Sequence, residues 1–384
     1  MPLFPEAFSL TGSFLSHYTE SRMKDLIKKF IFLLAAVLLL TGCAPKAAAP
    51  DPVSGRLPGE KSIGFFAMDT YMSVRAFGTE DSVLTSLRET AEALEAELSV
   101  TREDSAVARL NREGTAEFSP RGAALLERTL ELCRETGGVL DLSIYPAVRA
   151  WGFTLEDSYR VPSEEELQEI LTHVDYRKVR LEGSRAVLPE GMEIDLGSTA
   201  KGYTGDLLCG ILREHGVTSA LLDLGGNVQA LGSKPDGSPW QIAVRDPKGD
   251  GILGVLSIAD AAVITSGGYE RYFTDENGNL WWHIIDPADG KPSRSGLISA
   301  TITGPEGVRC DGLSTAMFIL GPEGAADFWR QHQDFSMVLV TEDGRLLVTE
   351  DLADRFRQES GSPYRMELLK AGRPEEASGK EARP

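Results

Sequence analysis

The sequence predicts an α+β protein, with helices and strands mixed along one compact, at most bilobed unit over residues 61–368. Apolar periodicity switches repeatedly between the helical 3.6 and the strand-like 2. No repeat of fixed period is present. No stretch inside 61–368 has the length and composition of an interdomain linker. The chain has 384 residues, 42% of them hydrophobic, enough for a large core.

Residues Phe65 to Phe77 alternate as a strand. Asp81 to Leu98 follows a helical pattern, with Leu84, Leu87, Ala91, Leu94 and Leu98 on one side. Ser119-Pro120 opens a second helix through an N-cap and an N1 proline, and Gly137 closes it. Ser163 with Glu164, Glu165 and Glu166 is a capping-box start for a helix to His173. A further helix runs from Thr199 to Gly216. Strands dominate from Ser219 to Thr303, with turns at Gly225-Gly226-Asn227, Asn277-Gly278 and Asp289-Gly290. Asp311 to Leu320 returns to helix, then strands are expected near Ser336–Thr341 and Arg345–Thr349. Residues 369–384 are charged and contain Pro and Gly, which reads as a disordered tail.

The amino terminus carries targeting signals. A basic stretch, Met23 to Lys29, precedes an unbroken apolar run from Phe30 to Leu40, and Leu40-Thr41-Gly42-Cys43 follows. The run is too short to span a bilayer and matches a signal-peptide core. The tetrapeptide resembles a bacterial lipobox, so residues 1–42 read as a signal peptide starting at Met23, with Cys43 lipidated. Residues 43–60, rich in Ala and Pro, read as a tether. The expected location is the cell envelope, on the extracytoplasmic side of a bacterial membrane.

The formal net charge is −19. Removing residues 1–42, which carry Arg22, Lys24, Lys28 and Lys29 against Glu6, Glu20 and Asp25, makes it −20. This argues against nucleic acid as a partner, and an anionic substrate needs a metal or local cations. Beyond Cys43, the odd set Cys133, Cys209 and Cys310 signals neither a disulfide framework nor a zinc site.

Three constellations carry possible chemistry. In Ile194 to Tyr203 an acid between apolar residues ends a strand, a small-residue turn follows and a helix opens, placing Lys201 in its first turn. Such a start offers N–H groups to phosphate, and a bound anion would explain the lysine; a plain strand–helix turn with a surface lysine fits as well. Asp311 and Thr315 stand four apart, opposite the stripe Leu313, Ala316, Met317 and Leu320. Their oxygens suit Mg²⁺ rather than zinc, or else Asp311 is an N-cap and Thr315 solvated. Among the histidines, only His283 sits in an apolar strand, Trp281 to Ile285. It is either a general base or a core histidine bonded to a carbonyl.

Jointly, these features resemble the ApbE-type flavin transferases (FAD:protein FMN transferases). The resemblance runs from about Phe65 to about Thr349, through nine stretches in family order. They include Ala67-Met68-Asp69-Thr70, Gly137 to Leu142, Ile194 to Asp206, Leu222 to Asn227, Thr265-Ser266-Gly267, His283-Ile284-Ile285-Asp286-Pro287 and Asp311 to Gly321. It implies a mixed α/β, T-fold-like flavin-transferase architecture. Met68, Val139, Leu140, Asp141, Asp195, Lys201 and Ile285 would line the FAD site. Asp311 and Thr315 would hold Mg²⁺ with oxygens near Ser198 and Ser314, and His283 would be catalytic. Departures are Thr101, where many members carry tyrosine, Ser198-Thr199 in place of Gly-Ile, and Trp282 in place of a second histidine.

The implied reaction moves FMN from FAD to a Thr or Ser hydroxyl of an exported, membrane-associated redox protein, with AMP leaving. The alternatives are an Mg²⁺-dependent FAD pyrophosphatase and a flavin-carrying lipoprotein without catalysis.

Overall fold

Nine strands build one sheet, and they stand side by side in chain order. They are β1 (Glu60–Ala67), β2 (Thr70–Phe77), β3 (Ala220–Leu224), β4 (Asn227–Leu231), β5 (Ala261–Gly267), β6 (Leu297–Gly304), β7 (Ser336–Thr341), β8 (Arg345–Thr349) and β9 (Arg365–Leu369). Neighbours are antiparallel except β8 and β9, which are parallel. The computed structural model describes residues 59–154 and 158–372. All of them belong to one compact unit, Pro58–Pro384.

Seven helices lie among the described residues: α1 (Asp81–Leu98), α2 (Ala106–Glu113), α3 (Pro120–Glu135), α4 (Tyr145–Ala150), α5 (Glu164–Leu171), α6 (Gly197–Glu214) and α7 (Gly307–His332). The period-2 alternation of the strands gives the sheet two apolar faces. Ala262, Ile264, Ala300, Ile302, Met337 and Leu339 pack with Leu313 and Met317 of α7. Val74, Leu222 and Met72 pack with Leu84 and Leu87 of α1 and Leu208 and Leu212 of α6. The alternate residues Val263, Val338, Val340, Leu346 and Val348 face the other way. They meet Trp240, Ile242, Leu256 and Phe356 of a three-stranded sheet (240–245, 252–258, 356–358).

Local signals set the helix starts. Ser119 Oγ accepts from Gly122 N–H (3.1 Å) with Pro120 at N1, and Ser163 Oγ accepts from Glu166 N–H (3.2 Å).

The structure also corrects several expectations. The segment Phe65–Phe77 is a hairpin rather than one strand, because Met68 and Asp69 both turn at positive φ (52° and 58°). Helix α6 begins at Gly197, two residues before Thr199, so Lys201 is its fifth residue and lies past the first turn. Asp311 is not an N-cap, because α7 starts four residues earlier. That helix is broken at Gly321 (φ 74°, ψ 179°), beside Pro322, and continues to His332. The expected strand through His283 is interrupted. Strand 280–282 stops before it, and a two-residue strand, Ile285–Asp286, follows. Leu369 ends β9 and is not part of a tail; residues 373–384 lie outside the described residues.

Cys43, the signal peptide, most of the tether and the proposed start at Met23 also lie outside the described residues. No helix among the described residues is long and apolar enough to cross a membrane. Cys133, Cys209 and Cys310 are free and buried. Burial pushes the thiols of Cys133 and Cys209 up to about 12, which leaves them inert near neutral pH.

Candidate active site

Two helices make the floor of the site, and glycines let them approach. A Cβ on Gly202 would lie 2.2 Å from the Gly307 carbonyl oxygen and 2.7 Å from Asp311 Cβ. With no side chain there, the Gly202 N–H donates to Asp311 Oδ2 at 2.8 Å. Asp311 is 6% exposed. Burial raises its carboxyl to about 6, against the opposing pull of Lys201 and the Gly202 N–H.

Hard oxygen donors gather beside this carboxylate. Ser266, near the end of β5, lies 2.7 Å from Ser314 Oγ and 3.3 Å from Thr315 Oγ1. Ser314 is fully buried and also donates to the Asp311 carbonyl (2.8 Å), so its hydroxyl is committed within the protein. Thr315 is partly exposed. Ser198 lies one turn before Gly202 on α6. Asn227, 6% exposed at the start of β4, turns its side-chain amide toward the Asp311 carboxylate and opposes the rise that burial causes there. Among the described residues no group of three or more His, Cys, Asp or Glu could hold a metal ion. One carboxylate with hydroxyl and carbonyl oxygens is a donor set for a hard ion that completes its shell with water and phosphate. Mg²⁺ fits it and zinc does not.

Lys201 stands over this group. Its ammonium has no ion pair or hydrogen bond among the described residues, and its charge is felt by Asp311, Glu270 and His283. A half-buried, unpaired cation surrounded by titratable groups is suited to an incoming anion.

His283 lies within electrostatic reach of Lys201. Its N–H donates to the Arg271 carbonyl (3.1 Å), and Nδ1 lies 3.3 Å from the same oxygen. A carbonyl only accepts, so Nδ1 carries the proton and Nε2 keeps a free lone pair. Burial lowers the imidazole to about 4, with Arg271 and Lys201 adding to the effect. The ring is therefore neutral and able to accept a proton at neutral pH. The Arg271 side chain reaches Asp69 (3.8 Å), tying this segment to the Met68–Asp69 turn. Met68 Sδ lies 3.7 Å from Thr204 Oγ1 on α6. Asp195 caps the start of α6, its Oδ1 accepting from Gly197 N–H at 2.9 Å, and burial raises its carboxyl.

The charge of Lys201 thus reaches Asp311 and His283, Ser314 and Thr315 lie against Ser266, and Met68 and Asp195 each contact α6. The remaining expected residues behave differently. Leu140 is buried against α7, where a Cβ on Gly312 would meet its Cδ2 at 3.1 Å, and Val139 is half-buried against the same core. Asp141 turns inward: Oδ1 accepts from the Ser143 N–H (2.8 Å) and Oγ (2.6 Å), and Oδ2 from the Tyr176 N–H (3.1 Å). That carboxylate is committed to its own loop. The Ile285 side chain packs with Ala147, Trp151, Phe153 and Leu167.

Sequence reasoning assigned no role to Ser266, Asn227, Glu270 or Arg271. Ser266 and Asn227 stood inside the quoted stretches Thr265-Ser266-Gly267 and Leu222 to Asn227, where small residues at a strand end were the available signal. Nothing in the local pattern marks Glu270 or Arg271.

Fold and site define an α+β protein in which the charge of an otherwise unpaired lysine reaches both a buried carboxylate and a neutral histidine. The chain belongs to the ApbE family, whose model matches residues 68–339. It is 35% identical to an FAD:protein FMN transferase of Treponema pallidum over 281 residues, covering 68% of this chain and 77% of the relative. It is 28% identical to one of Vibrio cholerae, over 83% and 96%. Among solved structures it superposes on the ApbE protein of Thermotoga maritima with a TM-score of 0.73 and 29% identity, covering 78% and 100%. The apo flavinyl transferase ApbE of Pseudomonas stutzeri gives 0.67 and 27%, over 74% and 92%.

Proposed function

We propose that this chain transfers the FMN part of FAD to a Thr or Ser hydroxyl of a partner protein and releases AMP. The observation that supports this reading is Lys201, whose charge reaches both the buried Asp311, one turn before Thr315 on α7, and the neutral His283. The FAD:protein FMN transferases among its relatives supply the substrate class.

In this reading Lys201 meets the pyrophosphate of FAD. Asp311 and Thr315, with the Ser198 carbonyl, would hold Mg²⁺, which would supply neutralisation of phosphate charge and orientation of the leaving group. The acceptor oxygen forms a bond to the riboflavin-side phosphorus. The bond to the bridging oxygen breaks, and that oxygen departs with AMP. The hydroxyl proton passes to Nε2 of His283, whose Nδ1–H is held by the Arg271 carbonyl. Lys201 and the ion set the local field, which is how a chain of net charge −19 holds an anionic substrate.

The acceptor would be an exported redox protein, and Cys43 would carry the lipid that anchors the enzyme outside the cytoplasmic membrane. The test is mass spectrometry of a candidate acceptor after incubation with the protein, FAD and Mg²⁺. Attachment of FMN to a Thr or Ser, with one AMP per FMN, is expected. Free FMN and AMP beside an unmodified acceptor would point to pyrophosphate hydrolysis instead.

A further inference from the structure

Helix α7 begins without a cap of its own: Glu306, at its N-cap position, makes no side-chain capping bond. Its first N–H groups are satisfied from another helix. Asp206 of α6 accepts from Gly307 N–H at Oδ1 (2.7 Å) and from Val308 N–H at Oδ2 (2.8 Å). Gln229 of β4, 7% exposed, donates to the same Oδ1 at 2.6 Å and fixes the carboxylate. One turn away the exchange is reversed, because Asp311 of α7 accepts the Gly202 N–H of α6. The antiparallel crossing is therefore pinned by two carboxylates, one from each helix, four residues apart on both. Side chains are excluded between them: a Cβ on Gly205 would meet Gln229 Oε1 at 2.1 Å, and one on Gly307 would meet the Gly202 carbonyl oxygen at 2.5 Å.

We propose that Asp206, seated by Gln229, is a positioning residue for the ion site. It fixes the register of α7 against α6, and so the aim of the Asp311 carboxylate and the Thr315 hydroxyl. Asp206 touches neither ion nor substrate. Its effect passes through the first turn of α7. In Asp206→Asn the new NH₂ must face either Val308 N–H or the Gly307 and Gln229 donors. At least one hydrogen bond is lost, and α7 is free to shift along α6.

The inference rests on reading Asp311 as an ion ligand, and the experiment separates the two. Mg²⁺ is titrated calorimetrically into the purified full chain and its variants, well below the melting transition. Asp206→Asn is expected to weaken Mg²⁺ about tenfold, the scale of losing a group that orients a ligand. Gln229→Met, close in shape, is expected to weaken it less, and it remains informative if Asp206→Asn does not fold. Leu256→Ala, in the distant three-stranded sheet, lowers the melting temperature and leaves Mg²⁺ affinity unchanged. Asp311→Ala abolishes binding. If Asp311→Ala abolishes binding while Asp206→Asn and Gln229→Met bind Mg²⁺ as the parent does, the positioning role is overturned. If Asp311→Ala binds Mg²⁺ normally, the ion-site reading itself fails.

Discussion

Replacing Gly202 with alanine adds one methyl group at the α6–α7 crossing. Helix propensity alone favours the change by about 0.5–1 kcal/mol, because glycine is costly inside a helix. The structure opposes it. The new Cβ would sit 2.2 Å from the Gly307 carbonyl oxygen, 2.5 Å from its carbonyl carbon and 2.7 Å from Asp311 Cβ. These are backbone or backbone-adjacent atoms that cannot swing aside, so the helices must separate. Overpacking costs about 1–3 kcal/mol. Separation also stretches the 2.8 Å bond from Gly202 N–H to Asp311, and loss of that buried charge-assisted bond adds about 1–3 kcal/mol.

The net expectation is a destabilisation of about 1–5.5 kcal/mol, the sum of those two costs less the propensity gain. Gly210 is the control on the same helix, since a Cβ there meets nothing within 4 Å. Gly210→Ala should stabilise by about 0.5–1 kcal/mol. Both are read by urea unfolding followed by circular dichroism, with Mg²⁺ affinity measured on the folded fraction. A Gly202→Ala variant as stable as Gly210→Ala, with unaltered Mg²⁺ affinity, would refute the close crossing as the organiser of the site.

Three further outcomes follow from the site. Lys201→Ala should weaken FAD binding about ten- to hundredfold, the scale of one charge-assisted contact, with little change in melting temperature; unchanged affinity would return the residue to the surface. His283→Ala should slow transfer by about 10²–10⁴ while FAD still binds. Because burial holds His283 near 4, the base is protonated and inactive only below that pH. The kcat/KM profile should show its acid limb for this group near 4, and a limb near 6.5 that disappears in His283→Ala would contradict the burial argument. Asp141→Ala should lower unfolding stability by about 1–3 kcal/mol by orphaning the Ser143 and Tyr176 donors, with FAD affinity largely kept. A selective loss of FAD binding would make Asp141 a direct contact.

Local chemistry was legible in the sequence. The Ser119 and Ser163 caps, the span of α1 and the strands at 336–341 and 345–349 appear where composition and period put them, because each depends on residues within a few positions. The ligand pattern at Asp311 and Thr315 and the histidine at 283 were legible as chemistry, each with a structural alternative.

Long-range contacts decided what remained. The start of α7 is set by Asp206, one hundred and one residues before Gly307, and no local signal encodes such a cap. The turn at Met68–Asp69 carries no glycine to announce it, and the chain holds that backbone where Asp69 can meet Arg271. The Asp141 carboxylate ties its own loop to Tyr176, thirty-five residues on, and the Ile285 side chain joins the Trp151 cluster. Lys201 comes within electrostatic reach of Asp311 because α6 and α7 cross closely at Gly202 and Gly307. The sequence by itself determined which residues could do the chemistry. Only the tertiary structure decided which ones meet, because that depends on packing distances between segments a hundred residues apart.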